Sequence, residues 1–546
     1  MKYPFLLLLL LNLSQHSFTQ AQVSDNLTPL QIKKLDSIAT QDVPALAPGI
    51  ATAIISNGTV IYQKTVGFAD LADSSFITET TKFNIASNGK QFTALAILIL
   101  EEEGKLKLSD DIRKYLPTLY PNLKTAITIE HLLTHRSGIR DIYDLWSLQG
   151  LTWWKNTFNN DDVVSVIQQQ HDLNFEPGTA YLYSNTNYIL LAKIIEQLTK
   201  NSFVAYTNEM FRKLDMPNTS FIDDYTQIKG HIARAYFNFN TWTNYQWKWN
   251  VCGDGNVFST LQDQIQWEMI IQGKVPLKIK QRIIKKSQLL SENFPKSQYG
   301  YGLEFGSYKG KSYRFHEGAT GAWKATVIRF SKPEITFITL TNTGKAIPSM
   351  QTRQMADVVF NFAPDSEYFL TKPEKTSNYL TDNEILGIYQ TDNNFIFRFE
   401  KINDQIYLKR FGRNDVKLSR EAPNIWHQTY DPDFKQEFKR NEKGQLQVTA
   451  YYTTHEPYTL TKTESNWVGF DSHTIVGKYR NDETAATLEI RPKQEKTYEV
   501  IIKESAEGLL ISPDKMIVNG YVLEITNNSI KLNGDRIKRV LFRKTE

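Results

Sequence analysis

Helical patterning stops near Pro373. Before that point helix-like and strand-like stretches alternate. After it the sequence is a series of short strand-like runs punctuated by Gly, Asn and Asp. A chain of 546 residues can fill more than one hydrophobic core, and a change of apolar period marks where one core gives way to the next. The polar run "LTKPEKTSNYLTDNE" places a linker at residues 368–377. The tail also echoes itself. "EILGIYQTDNNFIFRFE" and "TIVGKYRNDETAATLEI" align Gly387 and Tyr389 with Gly477 and Tyr479. Repetition of one strand-rich unit predicts two small β-barrels, over 378–465 and 466–546, with one larger sheet domain as the alternative.

Residues 22–367 read differently. "TPLQIKKLDSIATQDV" predicts an opening helix, and "GIATAIISNGTVIYQKTVGFAD" two strands joined at Asn57-Gly58. "FTALAILIL" is apolar all round and predicts a buried helix, stopped by Gly104 after three glutamates. In "YLYSNTNYILLAKIIEQLTK" Ile189, Leu190, Ile194 and Leu198 recur at helical spacing. "YGYGLEFGSYKGKSYRFHEGATGAWKATVIRFSKPEITFITLTN" alternates and predicts consecutive antiparallel strands. Strands at both ends with helices between give an α+β domain, an antiparallel sheet flanked by helices, followed by the all-β region.

Composition excludes several classes. A hydrophobic share of 41% and a charged share of 22% are those of an ordinary globular protein. The net charge of +4 is spread out, with no Lys/Arg run that would bind nucleic acid or an anionic membrane. "MKYPFLLLLLLNLSQHSFTQA" has a positive start, an apolar centre and a small-residue end, which predicts a cleavable signal peptide over 1–21 and a periplasmic or secreted protein. No later stretch is long and apolar enough to predict an integral membrane segment. The single cysteine, Cys252, makes no internal disulfide, and no cysteine stands at the cleavage site for lipidation. It reads as a buried bystander. His131 and His135 have a metal-binding spacing on a helix but lack a third ligand, so no metal and no cofactor is expected.

The chemistry begins at Ser87. Lys90 follows it by three residues, so the two side chains sit one turn apart on the same face. Lys90 also opens the apolar helix and is expected to be buried. Burial disfavours an ammonium and brings its pKa toward neutrality, at a cost of about 4 kcal/mol if it is to be neutral near pH 7. A second Ser-x-x-Lys, Ser512 to Lys515, falls in strand-like sequence and predicts only a turn. A nucleophile also needs a second proton carrier and donors for an oxyanion. Tyr183, in the loop before a helix with Ser184 and Asn185, is the candidate carrier. His316-Glu317-Gly318-Ala319 is the candidate strand: Gly318 would let a substrate approach the backbone, and the N–H groups of Ala319 and Ser87 could receive the oxyanion.

With these words in order, the chain resembles the serine β-lactamase and D-Ala-D-Ala carboxypeptidase superfamily, in its class C, esterase and D-aminopeptidase branch. The matching words are "FNIASNGKQFTA", "IEHLLTHRSGI", "FEPGTAYLYSNTNYILLAKIIE", "GDGNVFSTLQDQIQW", "YGYGLEF" and "HEGATGAW", over roughly residues 30–365. The resemblance implies a nucleophile at Ser87, its proton partner at Lys90, a general base and later acid at Tyr183, and an amide-holding Asn185. His316 stands where β-lactamases of the family carry a lysine that faces a substrate carboxylate. A histidine is only partly charged at neutral pH, which favours the esterase and D-aminopeptidase members. The implied function is a serine hydrolase of small-molecule or peptide substrates, D-amino-acid peptides or peptidoglycan fragments among them. A β-lactamase and a weakly catalytic peptidoglycan receptor are the alternatives. Whether a neutral Lys90 or an anionic Tyr183 takes the serine proton stays open, as does the oligomeric state. Trp153, Trp154, Trp242, Trp247 and Trp249 are candidates for pocket walls, although most large aromatics serve core packing.

Overall fold

The computed structural model describes residues 27–545 apart from 153–154, 363–378, 392–394, 411–414, 453–456, 464–473, 495 and 527. The signal-peptide and linker readings, and Trp153 and Trp154, lie outside the described residues. Among those described, no helix is long and apolar enough to cross a membrane.

The first described helix, α1, is Pro29–Thr40, with Thr28 capping its start. Strands β1 (Ile50–Ser56) and β2 (Thr59–Val66) form the hairpin at Asn57-Gly58. The short strand β3 (Phe83–Asn84) leads into a one-turn 3-10 helix, Ala86–Gly89, and then α2, Lys90–Glu102. Helix α3 is Asn185–Thr199, and β4 (Val257–Ser259) pairs with β3. The predicted run of strands is β5 (Glu304–Tyr308), β6 (Lys311–Thr320), β7 (Trp323–Ser331) and β8 (Glu334–Thr341), followed by α4, Pro348–Phe360. Six strands form one sheet in the order β5-β6-β7-β8-β1-β2.

Period-two alternation divides this sheet between two cores. Ile54, Phe315, Ile328, Phe330 and Phe337 face α1 and α4, where they meet Leu35, Met355, Val359 and Phe360. Ala53, Ile55, Val327, Ile338 and Leu340 face the other way, toward Phe92, Leu95, Tyr188 and Trp267. Every residue of β1 is buried, as expected for a strand covered on both faces.

A buried ion pair crosses the second core. Arg329 on β7 donates from Nε and Nη2 to the Glu268 carboxylate at 2.7 and 2.6 Å, and both side chains are almost wholly buried. Arg329 Nη2 also donates to Gln91 Oε1 at 2.8 Å. Gln91 in turn donates to Asn88 Oδ1 at 2.6 Å, and Asn88 to the His316 carbonyl at 3.0 Å. A polar chain thus ties the sheet to the turn that carries Ser87.

The tail forms two closed barrels of eight strands each. The first runs from Gly387–Gln390 to Tyr458–Lys462, the second from Gly477–Arg480 to Val540–Lys544. The sequence echo has a physical meaning. Gly387 and Gly477 both open their barrels at positive φ, 127° and 140°, where side-chained residues are strained. Tyr389 and Tyr479, two residues on, each donate a hydroxyl to a carbonyl four residues earlier, Ile385 and Ile475, both at 2.9 Å. The second Ser-x-x-Lys is the expected turn: Ser512 ends one strand and Lys515 begins the next.

The barrels and the N-terminal domain are joined by buried charge. Arg353 on α4 pairs with Asp431 and Asp433 of the first barrel at 2.7 and 3.0 Å. Arg140 pairs with Glu483 of the second at 2.6 Å. Removing one partner of a fully buried pair strands the other charge. Glu268→Gln is therefore expected to destabilise the N-terminal domain by about 3–5 kcal/mol, read as a lowered denaturation midpoint in urea against the wild type.

Candidate active site

Strand β3 delivers the chain into the Ser87 turn with a deliberate twist. Ala86 sits at φ 48°, and its N–H is held at 2.9 Å by the Asn84 side chain. Ser87 is half-buried and opens into a cavity of about 1880 Å³, while its neighbours Ala86, Asn88, Gly89 and Lys90 are buried. The serine lies on a 3-10 turn and the lysine on the first residue of α2. The side chains still meet as the spacing requires: Lys90 Nζ donates to Ser87 Oγ at 3.1 Å.

Lys90 is wholly enclosed. Its other hydrogens go to Asn185 Oδ1 at 2.9 Å and to the Asp254 carbonyl at 2.5 Å. Burial pulls its pKa down to about 7 against the attraction of the Asp254 and Asp141 carboxylates, and Arg536 adds to the pull. Tyr183 lies with its ring 4.9 Å from Lys90 Nζ. Burial pushes the Tyr183 phenol well above its ordinary value, opposed by Arg536 and by a hydrogen bond from Ser87. The phenol therefore stays protonated, while the amine titrates near neutrality.

Asn185 begins α3 and is pinned from two sides. Its N–H and its Nδ2 both donate to Asp141 Oδ2, at 2.6 and 2.9 Å, and its Oδ1 faces Lys90. Asp254 accepts from Tyr143 at 2.7 Å. Its carboxyl is raised by burial and held back by Lys90.

The strand candidate lies inside the sheet. Strand β6 is not a sheet edge, since β5 pairs with it. That pairing ends at Glu304 opposite Phe315, so residues 316–320 pair as a strand only with β7, and their other side faces the Ser87 turn, where Asn88 donates to the His316 carbonyl. Gly318 was expected to admit substrate to the backbone. A Cβ there would fall 2.1 Å from the Ile85 carbonyl, so the glycine is also required for packing against the Ser87 turn. Gly318 and the exposed Ala319 both line the cavity.

His316 is not the part-charged group its residue type suggests. It is buried, and burial with the nearby Lys90 charge brings it down to about 3. The Glu317 carbonyl, 2.6 Å from Nδ1, can only accept, so Nδ1 carries the proton. Nε2 then accepts from the Tyr299 hydroxyl at 3.0 Å. The ring is neutral with both nitrogens engaged inside the protein.

The remaining candidates have structural surroundings. His131 accepts from the Thr128 N–H as a helix cap, and His135 is enclosed by Tyr183, Tyr188 and Tyr299. Among the described residues no group of three His, Cys, Asp or Glu is placed to hold a metal ion. Cys252 is buried, with its thiol pushed well up. Trp247 and Trp249 line the cavity; Trp249 also packs on Tyr143, Trp146 and Phe158.

This arrangement can be set beside known proteins. The Beta-lactamase family profile matches residues 39–360, more than half of the chain. The chain belongs to the Beta-lactamase family. It is 38% identical over 209 residues to Protein flp of Staphylococcus aureus (strain MRSA252), covering 37% of this chain and 41% of that one. It is 29% identical over 286 residues to the D-aminopeptidase of Brucella anthropi, covering 51% and 52%. The chain spans about half or less of the length of these curated relatives. The octameric penicillin-binding protein homologue from Pyrococcus abyssi superposes with a TM-score of 0.55 at 22% identity, over 79% of this chain and all of that one. That likeness is one of fold. The fold is that of the Beta-lactamase family domain followed by two barrels, and the family includes serine hydrolases.

Sequence reasoning missed Asp141, Tyr143, Asp254, Tyr299 and Arg536. "GDGN" was part of the resemblance, and its carbonyl at Asp254 turns out to hold Lys90. Gly318→Ala is expected to displace the Ser87 turn. A misplacement of this kind costs about a hundredfold in rate, read as lost kcat/KM on a small ester with circular dichroism unchanged.

Proposed function

We propose that the protein is an exported serine hydrolase that opens an ester or amide through a Ser87 acyl-enzyme. One observation carries this: a half-open Ser87 hydroxyl in a large cavity, 3.1 Å from an enclosed lysine amine that titrates near 7. The leader pattern of residues 1–21 supports export.

In this scheme neutral Lys90 takes the Ser87 proton as Oγ bonds to the substrate carbonyl carbon. The carbonyl electron pair moves to oxygen, where the N–H groups of Ser87 and Ala319 receive it; such donors contribute about 3–4 kcal/mol each. As the bond to the leaving group breaks, Tyr183 gives that group its hydroxyl proton and is resupplied by the Lys90 ammonium. Water then attacks the acyl carbon and returns a proton to Lys90. Collapse breaks the Oγ bond, restores the serine hydroxyl and releases the acid. Asn185 keeps one Nδ2 hydrogen for the substrate, since Asp141 accepts only one. His316 acts as a strut for Tyr299 in this scheme, not as a proton carrier.

The size of the cavity supports one substrate class. At about 1880 Å³ it exceeds the roughly 300–1,000 Å³ of ordinary small-molecule sites. That supports peptides or cell-wall fragments as substrates, as does the similarity to a D-aminopeptidase. A neutral His316 offers a substrate carboxylate no charge from the strand side.

Intact mass after exposure to a fluorophosphonate is expected to show a single adduct, absent from Ser87→Ala. A penicillin adduct, if formed, should persist; its rapid loss would indicate lactamase turnover, and no adduct from either reagent would refute an active nucleophile. A second expectation concerns pH. Lys90 must be neutral to accept the proton, and it is neutral above its pKa. Ester kcat/KM should therefore rise with pH through a midpoint near 7.

A further inference from the structure

We propose that Arg536, delivered by the second barrel, recognises a carboxylate of the substrate beside Ser87. This rests on the acyl-transfer role of Ser87 and adds the charge of the substrate to it.

Arg536 lies in the loop between the last two strands of the second barrel, Ser529–Asn533 and Val540–Lys544. Its backbone is locked to the catalytic unit. The N–H donates to Asp144 Oδ2 at 2.8 Å, and the carbonyl accepts from the Asp141 N–H and from Asn174 Nδ2 at 3.3 and 3.1 Å. Two residues on, the Lys538 N–H donates to Asn174 Oδ1 at 2.6 Å.

The side chain is treated differently. Its guanidinium lies 4.8 Å from the Tyr183 ring centroid and lines the cavity, with 37% of the side chain exposed. Its approach to a charged partner is Asp141 Oδ2 at 4.0 Å, beyond hydrogen-bonding distance, and that oxygen already accepts twice from Asn185. Among the described residues its N–H groups make no hydrogen bond. A planar fork of open donors on a fixed backbone matches a carboxylate and needs little reordering to bind one.

Arg536 shares the lining with Arg410, Lys324, Lys503 and Lys538; Lys503 donates to Ser147 Oγ at 3.1 Å and Lys538 to the Gly534 carbonyl at 2.7 Å. On the strand side His316 is neutral, and Lys324 Nζ is spent on the Gly344 and Ala346 carbonyls. Lys90 is committed to Ser87. Glu304, across the cavity, is pushed up to about 8 by burial and the nearby Glu317, so at neutral pH it is largely protonated and does not repel an anion.

The test uses the full-length protein and two matched ester pairs: mono-4-nitrophenyl adipate with its methyl ester, and 3-acetoxybenzoate with its methyl ester. The free carboxylate lies on the acyl side in one pair and on the leaving side in the other. The readout is the ratio of kcat/KM for acid over methyl ester. In at least one pair the wild type is expected to favour the acid. Arg536→Ala should lower that ratio at least tenfold, and Arg536→Lys should restore part of it. If Arg536→Ala slows acid and methyl ester equally, the residue only docks the barrel or tunes Lys90, and carboxylate recognition is overturned. If wild-type turnover does not depend on Ser87, the acyl-transfer reading fails separately. Calorimetric binding of the preferred acid to Ser87→Ala then reads recognition alone: at least tenfold weaker binding on adding Arg536→Ala supports the proposal, and equal affinity or no binding overturns it.

Discussion

The site depends on the exclusion of water from one amine. Lys90 begins a helix that is apolar on almost every side, and no part of its side chain reaches solvent. Desolvation of an ammonium is large enough to outweigh the nearby Asp254, Asp141 and Glu304, and so the amine titrates near neutrality. Its contacts with Ser87, Asn185 and the Asp254 carbonyl satisfy it without fixing a positive charge. The same burial acts in the opposite sense on Tyr183, whose phenol is held protonated. One low-dielectric chamber thus provides a proton acceptor and a proton donor a few ångströms apart.

The scaffold keeps that chamber closed. Glu268, Arg329, Gln91 and Asn88 form a buried polar chain from the sheet to the nucleophile turn, ending on the His316 carbonyl. Gly318 lets strand and turn touch at a distance no side chain would allow. From outside, the barrels complete the cavity: Tyr458 of the first and Arg536 of the second line it together with Ser87. The tail is part of the site's wall.

What the sequence revealed follows from range. Ser87 and Lys90 are three residues apart, and the apolar run behind them announces the burial that lowers the lysine pKa. The barrel repeat was visible because Gly387 and Tyr389, like Gly477 and Tyr479, solve a local problem, a strained strand start and a hydroxyl tied four residues back. Asp254, Asp141 and Arg536 act across the fold, and no local pattern sets them apart from other charged loop residues. His316 was found by its place in the chain, yet its charge was misjudged. Its neutrality comes from burial and the nearby Lys90, which outweigh the Glu317 carbonyl on Nδ1. Ser87 also lies on a 3-10 turn before the helix, a detail that spacing alone does not separate from a regular helical turn.

The direct test of a neutral, enclosed Lys90 is a titration of its amine by NMR in protein labelled with ¹⁵N-lysine, with Lys90→Arg to assign the signal. The Nζ resonance should shift with a midpoint near 7, far below those of the surface lysines. A midpoint near the ordinary value of about 10.4 would mean that Lys90 stays charged while Ser87 is activated, and would contradict the account.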